Sequence, residues 1–196
     1  MRGLPHGDIP PFSVAGVLPP NSVAVTTLRQ MRHSHLITGE GNNWESDAVR
    51  WRGELFSGLC EVCFQLRYAG LARIYVDGSF VTNVEYPNDI DAYTVIGLEA
   101  AVDPRLVRSL DEAFDVLHPD QPSPWPELFG RDYNGVTRPR GDGSSLLWDY
   151  HGVHLLTCVE GEPHRVRTSD GKGRSVPGLF YETRDGIPKG LVVVQL

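Results

Sequence analysis

The chain has 196 residues, 40% hydrophobic and 22% charged, which provides enough apolar mass for one domain with a real core and too much for a disordered chain. A net charge of -7 argues against broad binding to nucleic acid, which needs a cationic surface. No apolar run approaches the ~20 residues of a membrane span, the N-terminal MRGLPHGDIPPF lacks the apolar stretch of a signal peptide, and three cysteines are too few for a disulfide framework, so a reducing cytoplasm is the expected setting.

Residues 1–22 hold Pro5, Pro10, Pro11, Pro19 and Pro20 and are expected to form an irregular arm. From Glu45 to Tyr68, the residues Ala48, Trp51, Leu55, Leu59, Val62 and Leu66 recur at three- and four-residue steps. That is the apolar stripe of a long helix, with Asn43 as N-cap and Gly70 as stop. Cys60 and Cys63 lie inside the stripe without a second pair nearby and read as core cysteines rather than a zinc or redox site. Trp44 and Trp51 read as core or helix packing. Ala72–Val76 is a strand, Asp77-Gly78-Ser79 a turn, and Asp89–Ile96 a second strand.

Asp103-Pro104 opens a second helix to about Leu117, with Leu106, Leu110, Phe114 and Leu117 on one face. His118 to Ser145 is a long polar stretch with five prolines, expected to hold short turns or a substrate-facing loop. Leu146–Tyr150 and Val153–Glu160 read as a hairpin around His151-Gly152. Residues 161–174 form a basic loop; His164, Arg165, Arg167, Lys172 and Arg174 suit either a solvated surface or a triphosphate or RNA backbone. A short helix at Pro177–Thr183 and a strand at Gly190–Leu196 complete the order. Arg138, Arg140, Arg184 and Lys189 are weaker candidates for contacts to acceptor or nucleotide. The histidines at 33, 35, 151 and 154 show no recognisable ligand spacing and are expected on the surface or in loops. Interleaved helices and strands give an α+β (mixed α/β) domain over residues 1–196, with a small mixed sheet flanked by helices.

The acidic residues are unevenly spread. Between Asp77 and Asp120 ten acids oppose only Arg105 and Arg108, a local balance of -8. Such a block is either a solvated face or the surroundings of a cation. Within it, Asp89 and Asp91 alternate with Ile90 and therefore share one face of a strand. Two carboxylates ~7 Å apart raise each other's pKa unless a cation lies between them, and hard dications such as Mg²⁺ accept such ligands while keeping water or phosphate in other positions. Gly78 and Ser79 stand where a strand turns; glycine permits close backbone approach, and exposed N–H groups with a hydroxyl suit phosphate.

Gly78-Ser79, nine residues, then Asp89-Ile90-Asp91 resembles the signature of the nucleotidyltransferase-fold superfamily, the polymerase-beta-like group. Asp77-Gly-Ser-Phe-Val-Thr82 with Pro87-Asn-Asp-Ile-Asp91, together with Gly16-Val-Leu-Pro-Pro20 and Arg184-Asp-Gly-Ile-Pro-Lys-Gly190, is similar to an uncharacterised bacterial family within that group. The resemblance implies a minimal nucleotidyltransferase-like fold, with Gly78 and Ser79 binding a nucleoside triphosphate and Asp89 and Asp91 holding Mg²⁺ or Mn²⁺. The acceptor would be RNA, a protein or a small molecule. It also implies a third carboxylate on a neighbouring strand, which two places can supply: Asp149, or the strand-like Val153-His154-Leu155, where histidine stands in place of the acid. Asp149 is the candidate that keeps the full acidic set. A catalytically degenerate nucleotide- or partner-binding module, such as a toxin–antitoxin or defence component with a cognate protein partner, is the alternative.

Overall fold

The computed structural model describes residues 8–20, 22–97, 103–126, 146–160, 164–167, 173–176, 183 and 185–196. In chain order the elements are β1 (Val23–Thr27), α1 (Leu28–Arg32), α2 (His35–Thr38), α3 (Ser46–Tyr68), β2 (Arg73–Asp77), a 3-10 turn (Ser79–Val81), β3 (Ile90–Ile96), α4 (Pro104–Leu117), α5 (Leu146–His151), β4 (Val153–Val159), β5 (His164–Arg167), β6 (Gly173–Val176) and β7 (Leu191–Gln195). The expected α+β architecture is observed: a five-stranded sheet ordered β1-β7-β2-β3-β4 with helices against it, and a separate two-stranded β5-β6 pair. β1 with β7 and β3 with β4 run parallel, whereas β2 is antiparallel to both β7 and β3. Among the described residues no helix is long and apolar enough to cross a membrane.

Alternation along the strands divides the side chains between two faces. One face supplies Ala24, Ile74, Val76, Ile90, Ala92, Val153, Leu155, Val192 and Val194 to the main core, which meets Leu55, Leu59, Val62 and Leu66 of α3 and Leu106, Leu110 and Phe114 of α4. The other face carries a smaller cluster around Tyr93, Leu156, Leu191 and Val193, with Tyr75 and Tyr93 stacked at 4.4 Å between ring centroids.

α4 begins as its sequence dictates, with the Asp103 carboxylate accepting from the Arg105 N–H and Pro104 in the first turn. Leu117, assigned above to its buried face, is 37% exposed instead, because the helix ends there. The N-cap position of α3 is Glu45 rather than Asn43, and its side chain makes no capping hydrogen bond. Its stripe also differs at one step: Trp51 is 36% exposed, with its indole N–H donating to Pro87 O at 2.7 Å, while neighbouring Arg52 is fully buried. Trp44 precedes the helix and lies over the Arg52 guanidinium, 4.3 Å from ring centroid to Cζ. Cys60 and Cys63 are free thiols in α3, half-buried and buried.

The expected hairpin at residues 146–160 is not formed. Leu146–His151 is helical and only Val153–Val159 is a strand, paired in parallel with β3; a hairpin would require antiparallel strands joined by a tight turn. The basic loop at 161–174 contains backbone of the β5-β6 pair, which short polar strands do not announce by apolar alternation. In the N-terminal arm, residues 8–20 contain no helix or extended strand, yet Leu18 is fully buried and Val17 bridges to Thr82. The long polar stretch begins by folding inward, since Trp125 is fully buried. Arg138, Arg140, Lys172, Arg184 and all of the expected helix except Thr183 lie outside the described residues, as do the side chains of His164, Arg165, Arg167 and Arg174.

Candidate functional site

Three neighbouring strands bring the acidic segment together. Asp77 at the end of β2 pairs with Asp91 on β3, and Asp91 pairs with His154 on β4, so the three residues form a row across one face of the sheet. Ile90 is buried between Asp89 and Asp91, which are both partly exposed. The strand begins at Ile90 rather than at Asp89, so alternation places Asp91 on the face away from the main core, while Asp89 directly precedes the strand. His154 Nδ1 donates to Asp91 Oδ1 at 3.3 Å, and this hydrogen bond raises the histidine above its ordinary pKa range. The strand position beside Asp91 therefore belongs to His154, whereas Asp149 lies exposed on α5. The sequence left this choice open because it depends on strand register, which residue types alone do not fix.

Gly78 occupies the turn after β2 with φ 76° and ψ -160°, a combination accessible in practice only to glycine. It also abuts the carboxylate row: a Cβ at this position would lie 2.2 Å from Asp91 Oδ2. Ser79, half-buried, opens the 3-10 turn, and Thr82 closes it with its N–H and hydroxyl both donating to Ser79 O. Gly78, Ser79, Asp89 and Asp91 are thereby gathered at one end of β2 and β3.

Two residues of this region were not anticipated in their present roles. Lys189, read above as a nucleotide contact, is only 5% exposed, and its ammonium lies 2.8 Å from Asp77 Oδ1. Asp77 is 2% exposed, and burial pushes its carboxyl up to about 7, opposed by Lys189 and reinforced by Asp91. Their separation of more than a hundred residues in the chain leaves no local signal for the pair.

The Asp77 carboxyl binds its proton more tightly in the folded chain than in the unfolded one. Its stabilising contribution is therefore complete below about pH 4 and is lost as pH rises through about 7. Urea denaturation in chelator is expected to show wild type losing about 3–4 kcal/mol relative to Asp77→Asn between about pH 4 and pH 7.5. A pH-independent difference would contradict the assignment.

Behind the sheet, Arg52 secures the same turn. Its Nε donates to Leu36 O and its Nη1 to Val84 O, both at 2.6 Å, and Nη2 donates to Phe80 O. The guanidinium also stacks 4.8 Å from the Phe80 ring centroid. Burial lowers its pKa to about 10, leaving it charged at neutral pH. One side chain of α3 thus ties the 3-10 turn and the segment leading to Asp89 to the core.

A family model matches residues 10–195. The chain belongs to DUF6932, a family of unknown function. No curated protein and no solved structure matches this member of the family.

Proposed function

We propose that this member of DUF6932 is a metal-dependent nucleotidyltransferase of small size, acting in the cytoplasm on an acceptor that is RNA, a protein or a small molecule. The observation that carries the reading is the approach of Gly78 to Asp91, with Asp89 two residues before it at the entry to β3. Asp89 and Asp91 would hold one dication, with Gly78 and Ser79 against the triphosphate. Bound there, Mg²⁺ or Mn²⁺ neutralises charge on the triphosphate. Two carboxylates beside an imidazole favour Mn²⁺, because histidine is a poor ligand for Mg²⁺. In the reaction an acceptor hydroxyl bonds to the α-phosphorus, the bond from that phosphorus to the bridging oxygen breaks, pyrophosphate leaves, and the hydroxyl proton passes to solvent or a base.

The experiment is transfer of α-labelled nucleotide to a lysate acceptor in Mn²⁺ or Mg²⁺. Labelling is expected with wild type and at least about 100-fold less with Asp91→Asn. Absence of labelling, together with unchanged triphosphate binding by Asp91→Asn, would sink the reading. His154 in the row where the resemblance implies an acid favours a second reading, a catalytically degenerate module binding nucleotide or a cognate protein. Metal-dependent stabilisation by triphosphate without turnover, lost in Asp89→Asn/Asp91→Asn, supports that module; turnover excludes it.

A further inference from the structure

A separate cluster lies among the helices. Glu61 is on α3, His118 directly follows α4 and His151 ends α5. Glu61 Oε2 is 3.0 Å from His151 Nδ1 and 3.3 Å from His118 Nε2, and the three ligand atoms all fall within 4.8 Å of one another. We propose that Glu61, His118 and His151 form a binding site for one transition-metal dication of the zinc type. Tetrahedral bonds of ~2.0–2.1 Å place ligand atoms ~3.3 Å apart, so two edges of the cluster already have that length. Two imidazoles with one carboxylate suit zinc, cobalt or nickel and not the harder magnesium or calcium.

The state of His151 points independently to a cation. Its side chain is fully buried, and Nδ1 has no hydrogen-bond partner despite its closeness to the Glu61 carboxylate. A proton on Nδ1 would lack an aligned acceptor, while a bare lone pair would face the lone pairs of a carboxylate oxygen. A dication within reach of both atoms relieves either conflict.

The surroundings hold these groups in place. Gly58 lets α5 press against α3 one turn before Glu61, since a Cβ there would lie 1.9 Å from His151 O. Phe114 flanks the His118 and His151 rings at 4.7 and 6.2 Å between centroids. The other His151 nitrogen, Nε2, is 3.5 Å from Gln65 Nε2, whose amide is oriented by Trp125 Nε1 donating to Gln65 Oε1 at 2.6 Å. The contact at 3.5 Å is at the limit of hydrogen bonding, and a metal-free relay through Gln65 and His151 to Glu61 is the competing arrangement. Glu61 and His118 retain 42% and 20% side-chain exposure, which gives an ion access and leaves a fourth position for water. An ion here would clamp three helical segments at the start of β4, the strand that carries His154.

The test is titration of the chelator-treated full chain with Co²⁺, followed by visible absorption and by displacement with Zn²⁺. Intense visible bands of tetrahedral Co²⁺ that saturate at one ion per chain are expected. Binding should weaken at least about 100-fold in Glu61→Gln and in His118→Gln, variants of partly exposed residues whose folding is checked by far-UV circular dichroism. Asp89→Asn/Asp91→Asn should bind as wild type does, which separates this site from the candidate nucleotide site. Absence of Co²⁺ bands in wild type, undiminished affinity in His118→Gln, or loss of binding only in the Asp89→Asn/Asp91→Asn variant would overturn the proposal.

Discussion

Gly78→Ala is expected to destabilise the chain by about 3–5 kcal/mol and to displace Asp91 from its present position. Two effects combine. The backbone at φ 76° and ψ -160° costs a residue with a Cβ about 1–3 kcal/mol in strain. The added methyl would also meet Asp91 Oδ2 at 2.2 Å and Asp91 Cβ and Cγ at 2.9 Å, an overpacking that costs a similar amount. The carboxylate tip can rotate, but the closeness of Cβ requires a shift in the strand itself. Urea denaturation measures the loss. Ser79→Ala, one residue later in a half-buried position, is the control and should change stability by less than about 1 kcal/mol. Equal effects for the two substitutions would show that the approach of Gly78 to Asp91 is not what constrains this turn.

Arg52→Leu is expected to lower stability by about 3–5 kcal/mol, or the midpoint of thermal unfolding by about 10 °C in a chain of this size. Leucine suits a helix and a core, so propensity and apolar burial predict little harm. The loss arises because Leu36 O, Phe80 O and Val84 O would each lose a charged donor in a dry setting. Stacking on Trp44 and Phe80 is lost as well. Arg52→Lys keeps the charge but cannot reach three divergent carbonyls, so its loss should fall between wild type and Arg52→Leu. Both variants loosen the Ser79–Val81 turn, and hydrogen exchange at the Thr82 and Ile90 amides should rise ahead of exchange in β7. Stability unchanged in Arg52→Leu would contradict this account.

The parts of the fold that were legible in the sequence rest on short-range physics. Asp103-Pro104 specifies a helix start by a cap and a fixed φ, and α4 begins there. Ile90-Asp91 specifies opposite faces by the period of a strand, and Ile90 is buried while Asp91 stands in the row with Asp77 and His154. Gly78 specifies a turn and a close approach through its missing Cβ, and both are present. Elsewhere residue type misled. A charged side chain at the edge of an apolar stripe normally reaches water, so residue type gives no sign that Arg52 is buried. Residues 146–150 were read as a strand because Trp and Tyr beside leucine favour one, while packing against α3 holds them as a helix instead. His151 was expected at the surface because its ring meets Glu61 and Gln65 only when α3 and α5 pack together.

The sequence by itself determined the class of the domain, the helix stripes, and the positions of the Gly78 turn and the strand that carries Asp91. Each follows from backbone sterics and side-chain period within a few residues. Only the tertiary structure decided that His154, not Asp149, stands beside Asp91, that Lys189 neutralises Asp77, and that Glu61, His118 and His151 converge. These are relations between segments far apart in the chain. They depend on strand register and helix packing, which are set by the shape of the whole core rather than by any local pattern.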